Sequence, residues 1–352
     1  MERLLLFPLN GDTEVLLQNK GASTKYQITA ISSYYEDVKR LEELENKNSL
    51  YCSVDFKSCL KKVDTVLFAE NTMGHEYSGY KTRVEEALNA GKNIYLGASL
   101  MQRLDIDPKN ENINILQKRD LPEKFKGTRL KDIRIPILAV MGEGENCDKF
   151  KLQVIIKTII EKKGYTVLSI CSNLLGQFIG MEALPGFLFS ENLSLQVKIE
   201  AFNNWIYKQQ ENSKADIIVL GCPGGILEFD EYESNHYGEI PLAILNAVIS
   251  DKSILTIYSN CKQDENSMKD LSNFCQMRYN TAVEEFVISG QYFRADHERK
   301  IIKYHSGKEQ AGSDCEVKDL EMENLSDVDD KGKIERQIDR ILMELKNNFF
   351  AI

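Results

Sequence analysis

The sequence is short of positive charge, and this argues against several classes of function. Its 44 Lys and Arg residues are outnumbered by 54 Asp and Glu residues, which gives a formal net charge of −10. Proteins that bind nucleic acids or anionic membrane surfaces usually carry a basic excess. We therefore expect no nucleic-acid partner and no membrane partner, and the acidic surface favours neutral or basic partners instead.

Long apolar runs are also missing. No window approaches the ~20 consecutive apolar residues that span a bilayer. The first residues, "MERLLLFPLNGD", contain too short an apolar run for a secretory signal and no small-residue cleavage site. We therefore expect a cytoplasmic protein whose eight cysteines remain reduced, without a framework of disulfides.

What the sequence does contain is a repeated alternation of apolar runs with amphipathic stretches. Such alternation predicts an α/β fold with parallel sheets, and 352 residues favour two domains. We predict an N-terminal Rossmann-like domain at 1–104, a polar connection at 105–134, and a larger P-loop-NTPase-like α/β domain at 135–310. An acidic loop and a closing helix would complete the chain at 311–352. Within the larger domain, "VEEFVIS" and "RKIIKYH" are predicted to form a short hairpin pair.

The stretch "ILAVMGEGENCDKFKLQ", Ile137 to Gln153, has the layout of a phosphate-binding loop. A working loop reads G-x-x-x-x-G-K-[ST] between a strand and a helix, where its backbone N–H groups and lysine hold phosphate and its hydroxyl binds magnesium. If Lys149 is that lysine, Phe150 replaces the hydroxyl, Asp148 replaces the second glycine and Glu143 replaces the first. The loop is therefore degenerate.

A second magnesium contact is missing from another strand. In P-loop ATPases of the MinD and dethiobiotin synthetase type, a core strand ends in an acidic residue before a Pro-Gly turn. Here the matching stretch is "IIVLGCPGG", and Gly221 stands at the acidic position. Two independent losses indicate that nucleotide hydrolysis is gone, while weak anion binding by the loop remains open. Its candidate residues are Gly142, Gly144, Asn146, Lys149 and Gly224.

Cysteines follow several predicted strands of the second domain. Because the carboxyl ends of parallel strands share one edge of a sheet, we expect Cys147, Cys171, Cys222 and Cys261 to meet there, and His236 can be carried to the same edge. Cys147, Cys222 and His236 are the candidates for a metal site, and the thiols could also carry out thiol chemistry. None of these cysteines forms the C-x-x-C pair typical of metal sites, and a free cysteine is equally suited to a buried apolar position. Both interpretations stay open at this point.

The pieces "MGEGENCDKFKLQ", "CPGGI", "SNHYGEIP" and "DTVLFAE" resemble the peptide maturation system proteins. These proteins are encoded in small cassettes beside a radical-SAM enzyme and a bacteriocin-like precursor peptide. The resemblance covers about residues 1–290 and implies a role in handling a ribosomally made peptide, without supplying catalytic residues. More distantly, the two-domain layout is similar to DUF1611-type proteins, whose glycine-lysine-hydroxyl loop is more regular.

These features lead to two hypotheses. In the first, the protein is an accessory factor that binds a precursor peptide, its radical-SAM maturase or both, without hydrolysing nucleotides. In the second, it is an enzyme that binds a phosphate-bearing cofactor or uses the cysteines at the strand ends for metal or thiol chemistry. The sequence does not identify a cofactor, and it is compatible with an oligomer.

Overall fold

The structure, a computed structural model, describes residues 1–21, 25–70, 76–116, 122, 129–228, 231–261, 264–306, 323–325 and 331–349. The chain forms two compact units. The first comprises residues 1–118 and 174–183, and the second comprises residues 119–173 and 184–352. No helix among the described residues is long and apolar enough to cross a membrane.

The first unit is built on a parallel sheet of six strands. The strands are β1 (Glu2–Phe7), β2 (Tyr26–Ser32), β3 (Tyr51–Ser53), β4 (Thr65–Phe68), β5 (Asn93–Leu96) and β6 (Ile113–Ile115). Their order across the sheet is β3-β2-β1-β4-β5-β6, which is the Rossmann order. The predicted Rossmann-like class of this unit is confirmed at this level.

Helices connect these strands and cover the sheet. They are α1 (Gly11–Gln18), α2 (Val38–Asn48), α3 (Phe56–Leu60), α4 (Tyr77–Asn89) and α5 (Ala98–Arg103). The core contains closely packed aromatic rings, with the Phe7 ring lying 5.3 Å from Phe56 and 5.5 Å from Tyr80 between centroids. Segment 174–183 returns to this unit, where Phe178 packs against Tyr26.

The predicted boundary of the first domain differs from the structure. Strand β6 lies inside the stretch 105–134 that was interpreted as a connection, and it pairs with β5. A strand of three residues is too short to show a periodic pattern, so a polar stretch with two prolines concealed it. The sequence also does not predict that residues 174–183 belong to the first unit, because a segment that passes from one unit to the other has no local sequence pattern.

The second sheet has seven strands among the described residues. Its strands are β7 (Ile137–Gly142), β8 (Val167–Cys171), β9 (Glu182–Ala183), β10 (Ile217–Gly221), β11 (Lys252–Ile257), β12 (Val283–Ile288) and β15 (Glu323–Asn324). Their order is β15-β12-β11-β7-β10-β8-β9, with β7 in the centre. The pairs that β7 makes with β10 and β11 are parallel, so the α/β class is confirmed here as well.

Both faces of this sheet are covered. Its helices are α6 (Lys149–Lys162), α7 (Leu195–Asn212), α8 (Glu239–Ala247), α9 (Glu265–Tyr279) and α10 (Lys331–Phe349). Side chains of α7, α8 and α9 pack in one hydrophobic cluster. Side chains of α6 and α10 pack in another. Because both faces are buried, β7 is apolar along its whole length, and its pattern does not alternate.

The predicted hairpin pair was wrong in its partners. Strand β12, which contains "VEEFVI", belongs to the parallel sheet and pairs with β11. The hairpin consists instead of β13 (Gln291–Asp296) and β14 (Ile301–Ser306), which pair antiparallel. Strand β13 has the polar sequence "QYFRAD", for which the sequence pattern predicts no strand. Most of the acidic segment 310–331 lies outside the described residues, whereas the predicted closing helix corresponds to α10.

Candidate functional site

The candidate site is the loop between β7 and α6, at the carboxyl edge of the second sheet. Two of its glycines are required by close approach of other side chains. A Cβ atom on Gly142 would lie 2.8 Å from Cδ of Lys149, and one on Gly144 would lie 2.5 Å from the hydroxyl oxygen of Tyr258. These glycines therefore allow the loop to pack against α6 and against the residue that follows β11.

Lys149, the first residue of α6, follows this loop directly, and its side chain is almost completely buried. Its side-chain Nζ donates hydrogen bonds to the carbonyl oxygens of Gly144, at 2.5 Å, and Gly224, at 2.6 Å. Gly224 belongs to the Pro-Gly-Gly turn after β10 and has a left-handed φ of 79°. Three of the predicted site residues thus come together, and the lysine ammonium binds the protein's own backbone.

Asp148 replaces the glycine that a phosphate loop has before its lysine. Its φ of 51° is left-handed, a conformation that glycine adopts readily and that aspartate tolerates. Its carboxylate accepts hydrogen bonds from Oγ of Ser289, at 2.9 Å, and from the backbone N–H of Gly290, at 2.7 Å. Asn146, another predicted site residue, is also left-handed, with a φ of 50°. The carboxylate of Asp148 therefore joins the loop to the end of β12.

The two positions that bind magnesium in a working phosphate-binding loop are occupied here by other groups. Phe150, after the lysine, is buried and has no hydroxyl. At Gly221 a Cβ atom would lie 2.2 Å from Oε1 of Gln153, so the amide of this glutamine occupies the space of an acidic side chain. Gln153 is itself held by Ile170, whose carbonyl accepts from Nε2, and by Ser172, whose N–H donates to Oε1.

Carboxyl groups give the loop an acidic character. Glu143 accepts a hydrogen bond from the backbone N–H of Tyr258 at 3.2 Å, and burial raises the pKa of its carboxyl above the usual value. The exposed Glu145 is held through its carbonyl oxygen, to which the Tyr258 hydroxyl donates. A phosphate approaching this loop would meet carboxylates as well as N–H groups, which reduces its attraction.

Among the cysteines near the loop, Cys147 and Cys222 are buried and Cys261 is half-buried. Burial raises the pKa of the Cys147 thiol and of the Cys222 thiol to about 12 each, and it raises the pKa of Cys261 above its ordinary value too. Because the thiolate is the nucleophile and the metal ligand, thiols with such pKa values are poorly suited to either role at neutral pH.

The third residue of the predicted metal site, His236, differs from the two buried cysteines in its exposure to solvent. It is exposed and has a left-handed φ of 48° within a strained run from Asn235 to Gly238. Among the residues that the structure describes, no three His, Cys, Asp or Glu side chains are grouped so that they could hold a metal ion. The metal assignment therefore receives no support from the geometry.

Two residues that shape the site are not among the residues predicted from the sequence. Gln153 blocks the position beside Gly221, and Tyr258 closes over Gly144. Tyr258 also packs against the hairpin: its ring meets Phe293 edge-on, at 5.1 Å between centroids, and stacks on Tyr304 at 6.1 Å. Their contacts connect residues that lie far apart in the chain, so no local pattern could have revealed them.

The first unit has a comparable site at the carboxyl ends of the neighbouring strands β1 and β4, where the strand order reverses direction. This is the place where Rossmann-like folds bind dinucleotides, with the pyrophosphate at the start of the first helix. Here Asn10 and Thr13 cap that helix with reciprocal hydrogen bonds between side chain and backbone. The first turn also carries Asp12 and Glu14, both unfavourable for a phosphate. The loop lacks the glycine-rich phosphate motif.

Comparison with known proteins identifies the fold and nothing finer. No family model matches the chain, and no curated protein matches it. A solved structure of a DUF1611 family protein from Anabaena variabilis has a TM-score of 0.57 and 11% sequence identity, over 82% of this chain and 88% of that chain. This likeness agrees with the expected two-domain α/β architecture and, at such low identity, shows the fold alone.

Other solved structures are less similar. Biliverdin reductase from Synechocystis, crystallised with biliverdin and NADP+, gives a TM-score of 0.23 at 14% identity over 29% of this chain and 33% of its own. A pseudomurein peptide ligase type C from Methanothermus fervidus gives 0.29 at 11% identity, over 82% of this chain and 44% of its own. Neither likeness bears on function.

Proposed function

We propose that the second unit is a P-loop-like domain with a degenerate loop, and that the protein is a non-hydrolysing accessory factor. It would act in the cytoplasm in the maturation of a ribosomally made peptide, by binding the precursor peptide, its radical-SAM modifying enzyme or both. The observation that carries the loss of hydrolysis is the Lys149 ammonium, which is bound by the carbonyls of Gly144 and Gly224.

Releasing this lysine toward a nucleotide would be costly. Hydrogen bonds to a charged group contribute about 1.5–3 kcal/mol each, and Lys149 would have to break two of them. A nucleotide would then lack its magnesium contacts, because Phe150 has no hydroxyl and Gln153 fills the space beside Gly221. Phosphoryl transfer depends on the positioning of phosphate, metal and lysine together, so the loss of the lysine and of both magnesium contacts argues against turnover.

The peptide partner is supported by charge and by the sequence resemblance. The protein carries a formal net charge of −10, which favours association with a basic leader peptide and weakens it with increasing salt. The motifs around Asn146–Phe150 and in the downstream Pro-Gly-Gly turn resemble those of peptide maturation system proteins. The resemblance motivates the peptide and the maturase as partners.

The absence of hydrolysis is tested by measuring phosphate release from ATP and GTP with the purified protein and magnesium. We expect no release above the background of a Lys149→Ala variant. Turnover in the wild type that disappears in this variant would overturn the non-hydrolysing assignment.

The peptide role is tested separately, by a pull-down of the immobilised protein with the precursor peptide and the radical-SAM enzyme encoded beside its gene. We expect retention of at least one of them, with less retention at high salt. If neither is retained at low salt, the accessory role is wrong, whatever the result of the nucleotide assay.

A second candidate is an enzyme that binds a phosphate-bearing cofactor. It is favoured by one observation: among the described residues, the backbone N–H groups of Gly144, Glu145 and Asn146 donate to no acceptor. Titration with pyrophosphate would distinguish the two, since saturable binding that is lost in Lys149→Ala supports this candidate. The thiol version of the enzyme hypothesis is disfavoured by the raised pKa values of Cys147 and Cys222.

A further inference from the structure

A groove of about 480 Å³ lies in the first unit. It opens between α4 and the segment that leads into β6. Aliphatic side chains line its floor, of which Leu88, Ile106 and Ile113 are half-buried and Val84 is fully buried. A volume of this size is in the range of binding pockets, which are ~300–1,000 Å³. The floor can therefore accept aliphatic groups of a ligand.

Charged side chains form the rim of this groove. They are Lys81 and Glu85 from α4, and Asp105, Asp107 and Lys109 from the segment before β6. Asp105 has a left-handed φ of 51°, and Asp107 accepts a hydrogen bond from the backbone N–H of Lys109. Within the described part of the chain, none of these five side chains forms an ion pair. The carboxylates outnumber the ammonium groups, so the rim favours a ligand with positive charge.

The groove adjoins an edge of the first sheet. Ile113, on its floor, is the first residue of β6, and β6 is the last strand of that sheet among the described residues. An edge strand presents backbone N–H and C=O groups that an extended peptide can pair with, while its alternate side chains enter neighbouring pockets. Aliphatic floor, acidic rim and strand edge thus occur together at one place.

We propose that this groove binds an extended segment of a basic peptide, with aliphatic side chains on the floor and basic side chains against Asp105 and Asp107. This inference rests on the proposed function, for which it names the docking surface and the chemistry of the peptide. A peptide is favoured over a small molecule because the groove includes Ile113 of the edge strand β6, whose backbone groups can pair with an extended chain.

The test uses the full-length protein and a fluorescein-labelled peptide of alternating lysine and valine as the probe. The groove variant is Asp105→Asn with Asp107→Asn, in which asparagine keeps the left-handed conformation and the acceptor oxygen. The matched control is Glu42→Gln with Glu43→Gln on α2, which removes the same charge from exposed positions outside the groove. Binding is followed by fluorescence anisotropy, and the contacted segments by hydrogen exchange.

We expect the groove variant to weaken binding at least about fivefold and the control less than about twofold, since a specific contact exceeds a general loss of charge. Hydrogen exchange should slow in 81–88 and 105–115 when the probe is added. Equal weakening by both variants, protection confined to other segments, or no binding of the probe to the wild type would each overturn the groove assignment.

These outcomes are separable from those of the proposed function. If the natural precursor peptide binds the wild type and the groove variant equally, the groove assignment fails while the accessory role stands. If the probe requires the groove but neither the precursor nor the modifying enzyme is retained, the groove stands and the accessory role fails.

Discussion

Lys149 contributes to the stability of its loop, because its ammonium joins two turns that come from different parts of the chain. Replacing Lys149 with methionine keeps the aliphatic stem and removes both hydrogen bonds to the carbonyls of Gly144 and Gly224. We expect a loss of about 1–3 kcal/mol in the free energy of unfolding, measured with urea. Lys162→Met, at an exposed position of the same helix, is the control, and an equal loss there would contradict this role.

Gly221 and Gln153 exclude one another, and this can be measured by a double-mutant cycle. Gly221→Ala places a Cβ against the amide of Gln153, and we expect it to cost about 1–3 kcal/mol in the wild type. In a Gln153→Ala background the same change should cost clearly less. Gly332→Ala, where a Cβ has open space, serves as the control. Additive effects at the two sites would show that the glutamine does not block the position.

Glu143 should make stability depend on pH. Its folded-state pKa is raised by burial, so its contribution to stability is fully present below the ordinary value of 4.5 and is lost as the pH rises through the folded-state value. Glu143→Gln is neutral throughout. We therefore expect this variant to gain stability relative to the wild type at about pH 8 and to gain less at about pH 5.

The measurement for Glu143 is urea unfolding of both proteins at each pH. Glu145→Gln, in the same loop but exposed, shows how much of any change is caused by general loss of charge. A difference between wild type and Glu143→Gln that is the same at both pH values would contradict the assignment of a buried, proton-binding carboxyl.

At the scale of elements, α10 completes one face of the second sheet. Its buried side chains pack with those of α6, and they are Ile334, Ile338, Ile341, Leu342 and Leu345. Ion pairs at the edges join Lys163 to Asp339 and Lys252 to Glu344. The helix therefore belongs to the folded core of this unit.

We expect Ile338→Ala to lower the free energy of unfolding by about 2–5 kcal/mol, because the side chain is fully buried and its removal leaves a cavity. Met343→Ala on the same helix is the control, since that side chain is 66% exposed, and it should change stability by less than about 0.5 kcal/mol. Similar small effects for both variants would mean that α10 is not part of the cooperative core.

The elements also show where prediction from sequence succeeds. Strands such as β1, β7 and β10 coincide with continuous apolar runs that are bounded by turns, and such runs are a strong signal. Strands β3 and β6 have three residues each and leave no period to detect. The hairpin was assigned to the wrong partner because β12 is apolar enough to suit either a hairpin or a buried parallel sheet.

At the scale of the whole molecule, we expect no stabilisation by nucleotides. A ligand present at a hundred times its dissociation constant would add about 2.7 kcal/mol to the free energy of unfolding. Thermal unfolding should therefore stay unchanged in millimolar ATP with magnesium, GTP with magnesium, or NADH, because Lys149 is engaged and the Asn10 cap consumes N–H groups of the first helix. A clear, saturable rise in the melting temperature with any of them would contradict this expectation.

The sequence by itself determined that the chain forms two α/β units, and that the loop after Met141 lacks the hydroxyl and the acidic partner of a working phosphate-binding loop. These properties are local, since apolar periodicity and the identity of Phe150 or Gly221 do not depend on the fold. Only the tertiary structure decided what Lys149 does instead, that Gln153 occupies the missing position, and that Cys147 and Cys222 are buried thiols. The physical reason is that hydrogen bonding and burial depend on neighbours in space, and here those neighbours come from strands far apart in the chain.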